Sequence, residues 1–227
     1  MMDARAHLWN RIALVTEPTR LAMLMQLMDD TSRPASELAR AAGVSMSAAS
    51  THLGKLRQAG IVRVRAQGRN RYYELARADV ARAVEALAAL APRDASAPAQ
   101  PSELQRARTC YDHLAGQLGV EITAALVAKG WLVLRRNVYR LETEGTRGLA
   151  QLGIDPGALG KNARRPFAVP CIDWSERRPH VAGALGAALA SRMFELRWLE
   201  RTSTPRAVRV TVRGRAALHR DFGVVVV

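Results

Sequence analysis

Four residues in the second half of the chain have side chains that can ligate a metal ion: Cys110, His113, Cys171 and His180. Two thiolates and two imidazoles suit a tetrahedral shell around a soft or borderline ion such as zinc. On a helix, a cysteine and a histidine three residues apart would reach the same ion from one turn. Asp112 and Asp173 stand close by in the sequence and could orient the imidazoles through hydrogen bonds. These residues predict a zinc-like metal site.

The same residue types are compatible with three other interpretations. Cys110 and Cys171 beside cationic groups would form reactive thiolates and act as a redox sensor. Alternatively, both cysteines are small core residues, and both histidines cap helices. A small-molecule pocket lined by Trp131, Trp174 and Trp198 would also serve a sensor.

The ligand candidates belong to an internal repeat. The sequence HLAGQLG at 113–119 recurs as HVAGALG at 180–186, and later matches keep the same offset of 67 residues. A constant offset over several positions indicates a duplication. Each copy predicts one long helix (about 113–129 and 180–197), a strand pair and a returning helix. This order resembles a degenerate winged helix.

Positive charge is concentrated in one stretch of the chain, residues 33–72. The whole protein has a formal net charge of +14, and residues 33–72 contain eight basic side chains against Glu37 as the single acid. Such a local excess on a small unit is typical of a protein that binds a polyanion.

Within this basic stretch, residues 36–75 have the pattern of a helix-turn-helix followed by a hairpin. Ser36 and Ser45 can each cap a helix, the second of which spans about 46–59. The apolar residues of that helix recur with a helical period and predict its buried face: Met46, Ala49, Leu53 and Leu56. The next residues, IVRVR (61–65), alternate apolar and basic side chains, and RYYEL (71–75) returns after a turn at 66–70.

The segments EPTRLAMLMQL (17–27) and SELARAAGVSMSAASTHLGKLRQAGIVRVRAQGRNRYYEL (36–75) resemble the ArsR/SmtB family of bacterial repressors. The resemblance implies a homodimer, joined by helices at about 3–15 and 78–90, that binds a palindromic operator in double-stranded DNA. It also implies that the 46–59 helix enters the major groove and that the hairpin contacts the flanking backbone or minor groove. The residues expected at the DNA are Ser45, Ser47, Ser50, Thr51, His52, Lys55, Arg69 and Arg71.

The sequence departs from this family at its familiar metal sites. Some members carry a Cys-x-Cys motif in the short helix that reads SELARAA here, and others bind zinc through the last helix, which offers only Asp79. We therefore expect an unknown small effector to be sensed in the second half of the chain.

Three regions follow from these patterns. Residues 1–90 form the DNA-binding and dimerisation domain, residues 91–102 a Pro/Ala/Ser linker, and residues 103–227 an effector domain with repeats at about 103–154 and 165–223. The predicted fold is mainly α with small β-hairpins (α+β), with an N-terminal winged helix-turn-helix and two tandem, degenerate winged-helix-like repeats.

Composition narrows the cellular setting. No apolar run approaches the roughly 20 residues of a membrane span, and the N-terminus lacks the pattern of a signal peptide. Two cysteines are too few for a disulfide framework. These observations predict a cytoplasmic protein without membrane partners, associated with the bacterial nucleoid through DNA.

The predicted function is a transcriptional repressor that an effector releases from DNA, the effector being a metal or an oxidant sensed through Cys and His. Two alternatives belong to other classes: a thiol-dependent enzyme with Cys110 or Cys171 as nucleophile, and an architectural protein that binds nucleic acid without sequence preference. The sequence has no phosphate loop and no nucleophile elbow, so we expect no enzyme.

Overall fold

The computed structural model describes residues 4–29, 31–67, 70–90, 100–159 and 165–226. The chain divides into two compact units, residues 1–87 and 88–227. Most of the predicted linker, residues 91–99, and the predicted DNA contact Arg69 lie outside the described residues. In the part that is described, no helix combines the length and apolar character needed to cross a membrane.

The first unit contains a helix-turn-helix and a three-stranded sheet. Its elements are α1 (Ala4–Thr16), α2 (Pro18–Gln26), β1 (Arg33–Pro34), α3 (Ala35–Ala41), α4 (Met46–Gln58), β2 (Val62–Gln67), β3 (Asn70–Leu75) and α5 (Ala78–Ala88). The sheet order is β1-β3-β2, and β2 and β3 pair antiparallel from Val62↔Leu75 to Gln67↔Asn70. The β2–β3 hairpin is the wing that the sequence predicted.

Local sequence explains where these helices begin. Glu17 accepts hydrogen bonds from the first backbone N–H groups of α2, and Pro18 occupies the first turn, where no N–H is needed. The Ser45 hydroxyl accepts from Ala48 N and caps α4 as predicted. The cap predicted at Ser36 is wrong, because α3 begins at Ala35 after Pro34 and contains Ser36 in its first turn.

The buried face of α4 packs on the core of the first unit. Ala49, Leu53 and Leu56 are fully buried, together with α2 side chains such as Leu24. Met46 departs from the predicted stripe and is 50% exposed, since it lies at the first residue of the helix, beyond the packed region. The hairpin strands also run further than expected, to Gln67 and from Asn70, into the predicted turn.

The second unit is built from short hairpins and helices. Its elements are α6 (Glu103–Arg106), β4 (Arg108–Cys110), β5 (His113–Ala115), α7 (Gly116–Ala128), β6 (Leu132–Arg135), β7 (Val138–Leu141), α8 (Thr143–Gln151), α9 (Pro156–Leu159), β8 (Val169–Ile172), β9 (Pro179–Ala182), α10 (Gly183–Glu195), β10 (Leu199–Arg201), β11 (Val208–Val210) and α11 (Val212–Phe222). The mixture of helices and small antiparallel sheets confirms the predicted fold class.

Two successive segments of this unit have the same order of elements. Residues 108–151 (the first segment) and 169–222 (the second segment) each run hairpin, 13-residue helix, hairpin, helix. Their apolar side chains form one shared core, which includes Leu118, Leu185 and Trp198.

The predicted starts of the two long helices, at 113 and 180, are wrong. His113 and His180 lie in β5 and β9, and the helices begin only at Gly116 and Gly183. Both glycines have a left-handed backbone, with φ of +72° and +86°, which ends the strand and redirects the chain into the helix. Each segment therefore has a leading hairpin that the sequence did not predict.

Candidate functional site

The exposed face of α4 carries small hydroxyl side chains. Ser47, Ser50, Thr51 and Lys55 are all exposed on the side opposite the buried stripe. Ser45 is also exposed, although its hydroxyl is engaged in the helix cap. Short polar side chains on a convex helix permit close approach to a duplex and can hydrogen-bond phosphates and base edges.

The His52 side chain points away from this exposed face and toward α2. Its ring is only partly exposed, and its Nδ1 atom lies 3.3 Å from Glu17 Oε2 and 3.3 Å from Arg20 Nη1, at the start of α2. The imidazole therefore braces α4 against α2, and of the predicted α4 contacts it is the one directed toward a neighbouring helix.

The wing and α4 share a concave surface. A cleft of about 160 Å³ is lined by Ser50, Arg57 and Arg71, among others. Arg71 is exposed on β3, as the sequence prediction requires. Arg57 was not among the predicted DNA contacts, although its place near the end of α4, one turn after Leu53, could have indicated it. Arg63 instead pairs with Glu74 across the hairpin.

The four metal-ligand candidates converge in the second unit and are called the Cys-His centre below: Cys110, His113, Cys171 and His180. All four side chains are buried, and their ligand atoms lie within 4.8 Å of one another. The two Sγ atoms are 4.0 Å apart, and the two Nε2 atoms are 3.2 Å apart.

The hairpins explain this convergence. Cys110 pairs directly with His113 across β4–β5, and Cys171 pairs with His180 across β8–β9. Partners directly opposite each other on antiparallel strands project their side chains from the same face. The expected chelation from one helical turn is therefore wrong, since a cross-strand pair performs that role in each segment. Strands β5 and β9 contact each other, which joins the two pairs.

Helices α7 and α10 pack closely on the Cys-His centre. A Cβ atom added at Gly119 would lie 2.6 Å from Leu114 O and 3.5 Å from the Cβ of His180. One added at Gly186 would overlap Val181 O and lie 3.1 Å from the Cβ of His113. The small residues of each helix thus make room for the leading hairpins, with each glycine beside the histidine of the other segment.

A carboxylate lies behind each imidazole. Asp112 Oδ1 is 3.3 Å from His113 Nδ1, and Asp173 Oδ2 is 3.3 Å from His180 Nδ1. The second contact is electrostatic, because it falls outside hydrogen-bond alignment. Both rings therefore turn Nδ1 toward an aspartate and Nε2 toward the other histidine.

An arginine distant in the sequence pairs with each of these aspartates. Arg108 donates to Asp173 at 2.9 Å, and both side chains are fully buried. Arg165 pairs with Asp112 at 2.7 Å. Asp173 also accepts from Gly116 N at 2.6 Å, so it connects the second segment to the start of α7. The sequence did not single out Arg108, because arginine is normally exposed.

The electrostatic environment of the Cys-His centre favours positive charge. Burial lowers the pKa of His180, but Asp173 and the Cys110 sulfur outweigh burial and raise this pKa to about 9. Burial likewise lowers the pKa of His113, and Cys110 and Asp112 outweigh it, so that the pKa is raised. Burial alone would raise the pKa of each aspartate, but the facing imidazole and arginine hold both pKa values below the usual range.

The three tryptophans do not form the expected common pocket. Trp198 is buried in the core, Trp131 packs edge-on against Phe222, and Trp174 lies 4.9 Å from the guanidinium of Arg108. A cavity of about 680 Å³ in this unit is lined by other residues, including Gln117, Glu121 and Arg209.

Comparisons with known proteins agree with the helix-turn-helix found in the first unit. A family model described as a helix-turn-helix domain (HTH_20) matches residues 15–65. The chain belongs to the helix-turn-helix transcriptional regulators. It is 40% identical over 216 residues to the HTH-type transcriptional regulator YdfF of Bacillus subtilis (strain 168), in an alignment that spans 93% of this chain and 95% of that protein.

Similar solved structures cover a smaller part of the chain. HlyU from Vibrio cholerae N16961 is 29% identical, covering 38% of this chain and 94% of that one, with a TM-score of 0.34. The repressor BigR from Xylella fastidiosa is 27% identical, covering 40% and 91%, with a TM-score of 0.36.

Proposed function

We propose that this protein is a transcriptional repressor that binds a palindromic operator as a homodimer and is released by an effector sensed in its second unit. The observation that carries the proposal is the exposed hydroxyl face of α4, which shares a concave surface with Arg57 and with Arg71 of the wing. In a chain that belongs to the helix-turn-helix regulators, this face is the natural reader of a major groove. Such a protein acts in the cytoplasm, where it meets the nucleoid.

Exposed apolar side chains on α1 support the homodimer. Trp9 is 66% exposed and Ile12 is 43% exposed on this helix. Large apolar groups on one element of a soluble unit are costly in water and are typical of a surface that another subunit covers. A second copy would place two α4 helices on successive turns of a palindromic duplex.

The buried polar side chains of the second unit support its role in sensing an effector. The Cys-His centre and Asp173 place several polar groups in a buried core, which is expensive unless they serve a purpose. The DNA-facing residues lie in the other unit, so reading and sensing are assigned to different parts of the chain.

Selecting the genomic DNA fragments that the protein binds, and then footprinting them, tests the proposed repressor function. We expect footprints on a palindrome, and light scattering at the same concentration should give the mass of a dimer. Equal, salt-sensitive binding to all fragments would instead support an architectural protein and contradict the proposal.

Arg71→Ala should lower affinity for every DNA sequence and reduce the slope of log K against log salt by about 1 per protomer, since one phosphate contact is lost. Arg140→Ala, an exposed arginine of the second unit, serves as the matched control and should leave the slope unchanged. Titrations at several salt concentrations measure both. An unchanged slope for Arg71→Ala would remove the wing from the interface.

A further inference from the structure

Two of the distances between ligand atoms of the Cys-His centre match those of a tetrahedral zinc site. Zinc bonds of about 2.3 Å to sulfur and about 2.0–2.1 Å to nitrogen place two sulfurs roughly 3.8 Å apart and two nitrogens roughly 3.3 Å apart. The structure has Sγ–Sγ at 4.0 Å and Nε2–Nε2 at 3.2 Å. Both distances match those of a zinc shell to within a few tenths of an ångström, and closing the longest sulfur–nitrogen distance, at most 4.8 Å, by about 1 Å would complete the shell.

The orientation of the two imidazoles is that of metal ligands. Each Nδ1 faces an aspartate, and each Nε2 faces the centre of the cluster. Histidines that bind metals use one nitrogen for the ion while a carboxylate orients the ring through the other. We propose that Cys110, His113, Cys171 and His180 bind one zinc-class ion in a closed site between the two leading hairpins.

A disulfide explains fewer of the observations. The two sulfurs would have to approach by about 2 Å to reach the bond length of a disulfide. Both cysteines are buried in a packed core, whereas thiols that sense oxidants are accessible to solvent. A Cys110–Cys171 bond would also leave the converging Nε2 atoms and their aspartates without a role.

The ligand types define the class of ion. Thiolate and imidazole select zinc and similar borderline ions over magnesium and calcium, which prefer oxygen ligands. Four protein ligands complete a tetrahedral shell, which is the arrangement of structural rather than catalytic zinc sites. The ion thus fastens one segment to the other and does not activate water.

The ion would stabilise the second unit because each segment contributes one cysteine and one histidine. Binding free energy at a site that only the folded state possesses is also folding free energy. The regulatory consequence, in which bound ion changes DNA affinity, rests on the proposed function, whereas metal binding itself does not.

Zinc and cobalt titrations of the full-length protein test the site. We expect one ion per chain, with cobalt giving a tetrahedral ligand-field spectrum and a thiolate charge-transfer band. The double variant Cys110→Ser/Cys171→Ser should lose the charge-transfer band and at least 100-fold in zinc affinity. His219→Gln, which removes an exposed histidine of the same unit, should change neither. Binding that survives in the double variant, or a cobalt spectrum without thiolate bands in the parent protein, would overturn the site.

A second variant keeps the test valid if the double variant misfolds. Asp112→Asn leaves all four ligands in place and removes the carboxylate behind His113, so zinc affinity should fall by about 10–100-fold while the cobalt spectrum stays tetrahedral. Unchanged affinity would contradict the positioning role of Asp112 and with it the proposed geometry. Circular dichroism reports folding for each variant.

Operator binding with zinc and with a chelator separates the two proposals. Zinc binding that leaves operator affinity unchanged would overturn the effector role of the Cys-His centre and leave the metal site standing. Specific operator binding by a protein that takes up no zinc would overturn the metal site and leave the DNA-binding function standing.

Discussion

Arg108→Met should lower the free energy of unfolding of the second unit by about 3–5 kcal/mol, the usual cost of breaking a buried ion pair from one side. The methionine leaves the Asp173 carboxylate buried without its arginine, in a site where both partners are fully buried. Asp173 would keep its backbone donors, including Gly116 N, and the facing imidazole of His180, but would lose the positive charge of the arginine. The largest loss should occur around β4, β8 and the start of α7.

Arg209→Met is the matched control for this experiment. Arg209 pairs with Glu200 at 2.7 Å, but both side chains are well exposed, so the same substitution should cost less than about 1 kcal/mol. Hydrogen exchange of the full-length proteins, with a chelator present throughout, measures protection in each unit separately. Equal losses for the two variants would contradict the structural importance of the buried pair, and a loss in residues 1–87 would contradict its confinement to the second unit.

Ser50→Glu should reduce affinity for the operator by about 100-fold, which corresponds to about 2.7 kcal/mol. Ser50 is exposed near the middle of α4, and a carboxylate there would face the negative potential of the duplex at close range. Glutamate is a good helix former, so α4 itself should persist. The loss should appear for specific and non-specific DNA, since repulsion does not depend on sequence.

The control for this charge change is Ala216→Glu, on an exposed position of α11 in the second unit. It changes the net charge of the protein by the same amount as Ser50→Glu. Fluorescence anisotropy with the footprinted DNA compares both variants with the parent protein. Similar losses for the two would mean that overall charge, rather than the α4 face, governs binding.

The first unit could be predicted closely because its signals are local. Ser45 caps a helix with an apolar stripe, and the first hairpin strand alternates apolar and basic residues from Val62 to Arg65. The errors at Ser36 and Met46 fall at helix ends, where backbone and packing compete within one turn. The sequence predicted a DNA contact for His52 from its place on the helix alone. Its contacts with α2 depend on tertiary packing, which a helical projection does not include.

In the second unit the chemistry was easier to predict than the geometry. The duplicated Cys and His drew attention to the right residues, but strands of three or four residues are too short to show alternation. The glycines that begin α7 and α10 were therefore interpreted as parts of longer helices. Arg108 was missed because its role depends on an aspartate 65 positions away, a distance that no local pattern spans.

A glycine in each long helix of the second unit lies beside the histidine of the other segment, and this packing limits the substitutions that the unit can accept. Gly119 lies against His180, and Gly186 lies against His113, so a bulkier residue in either helix would displace a side chain that belongs to the other copy. A substitution that would fit within one segment is thus destabilising because it collides with the other segment. The two segments therefore cannot vary independently, because the residues acceptable at one set of positions depend on those at the other.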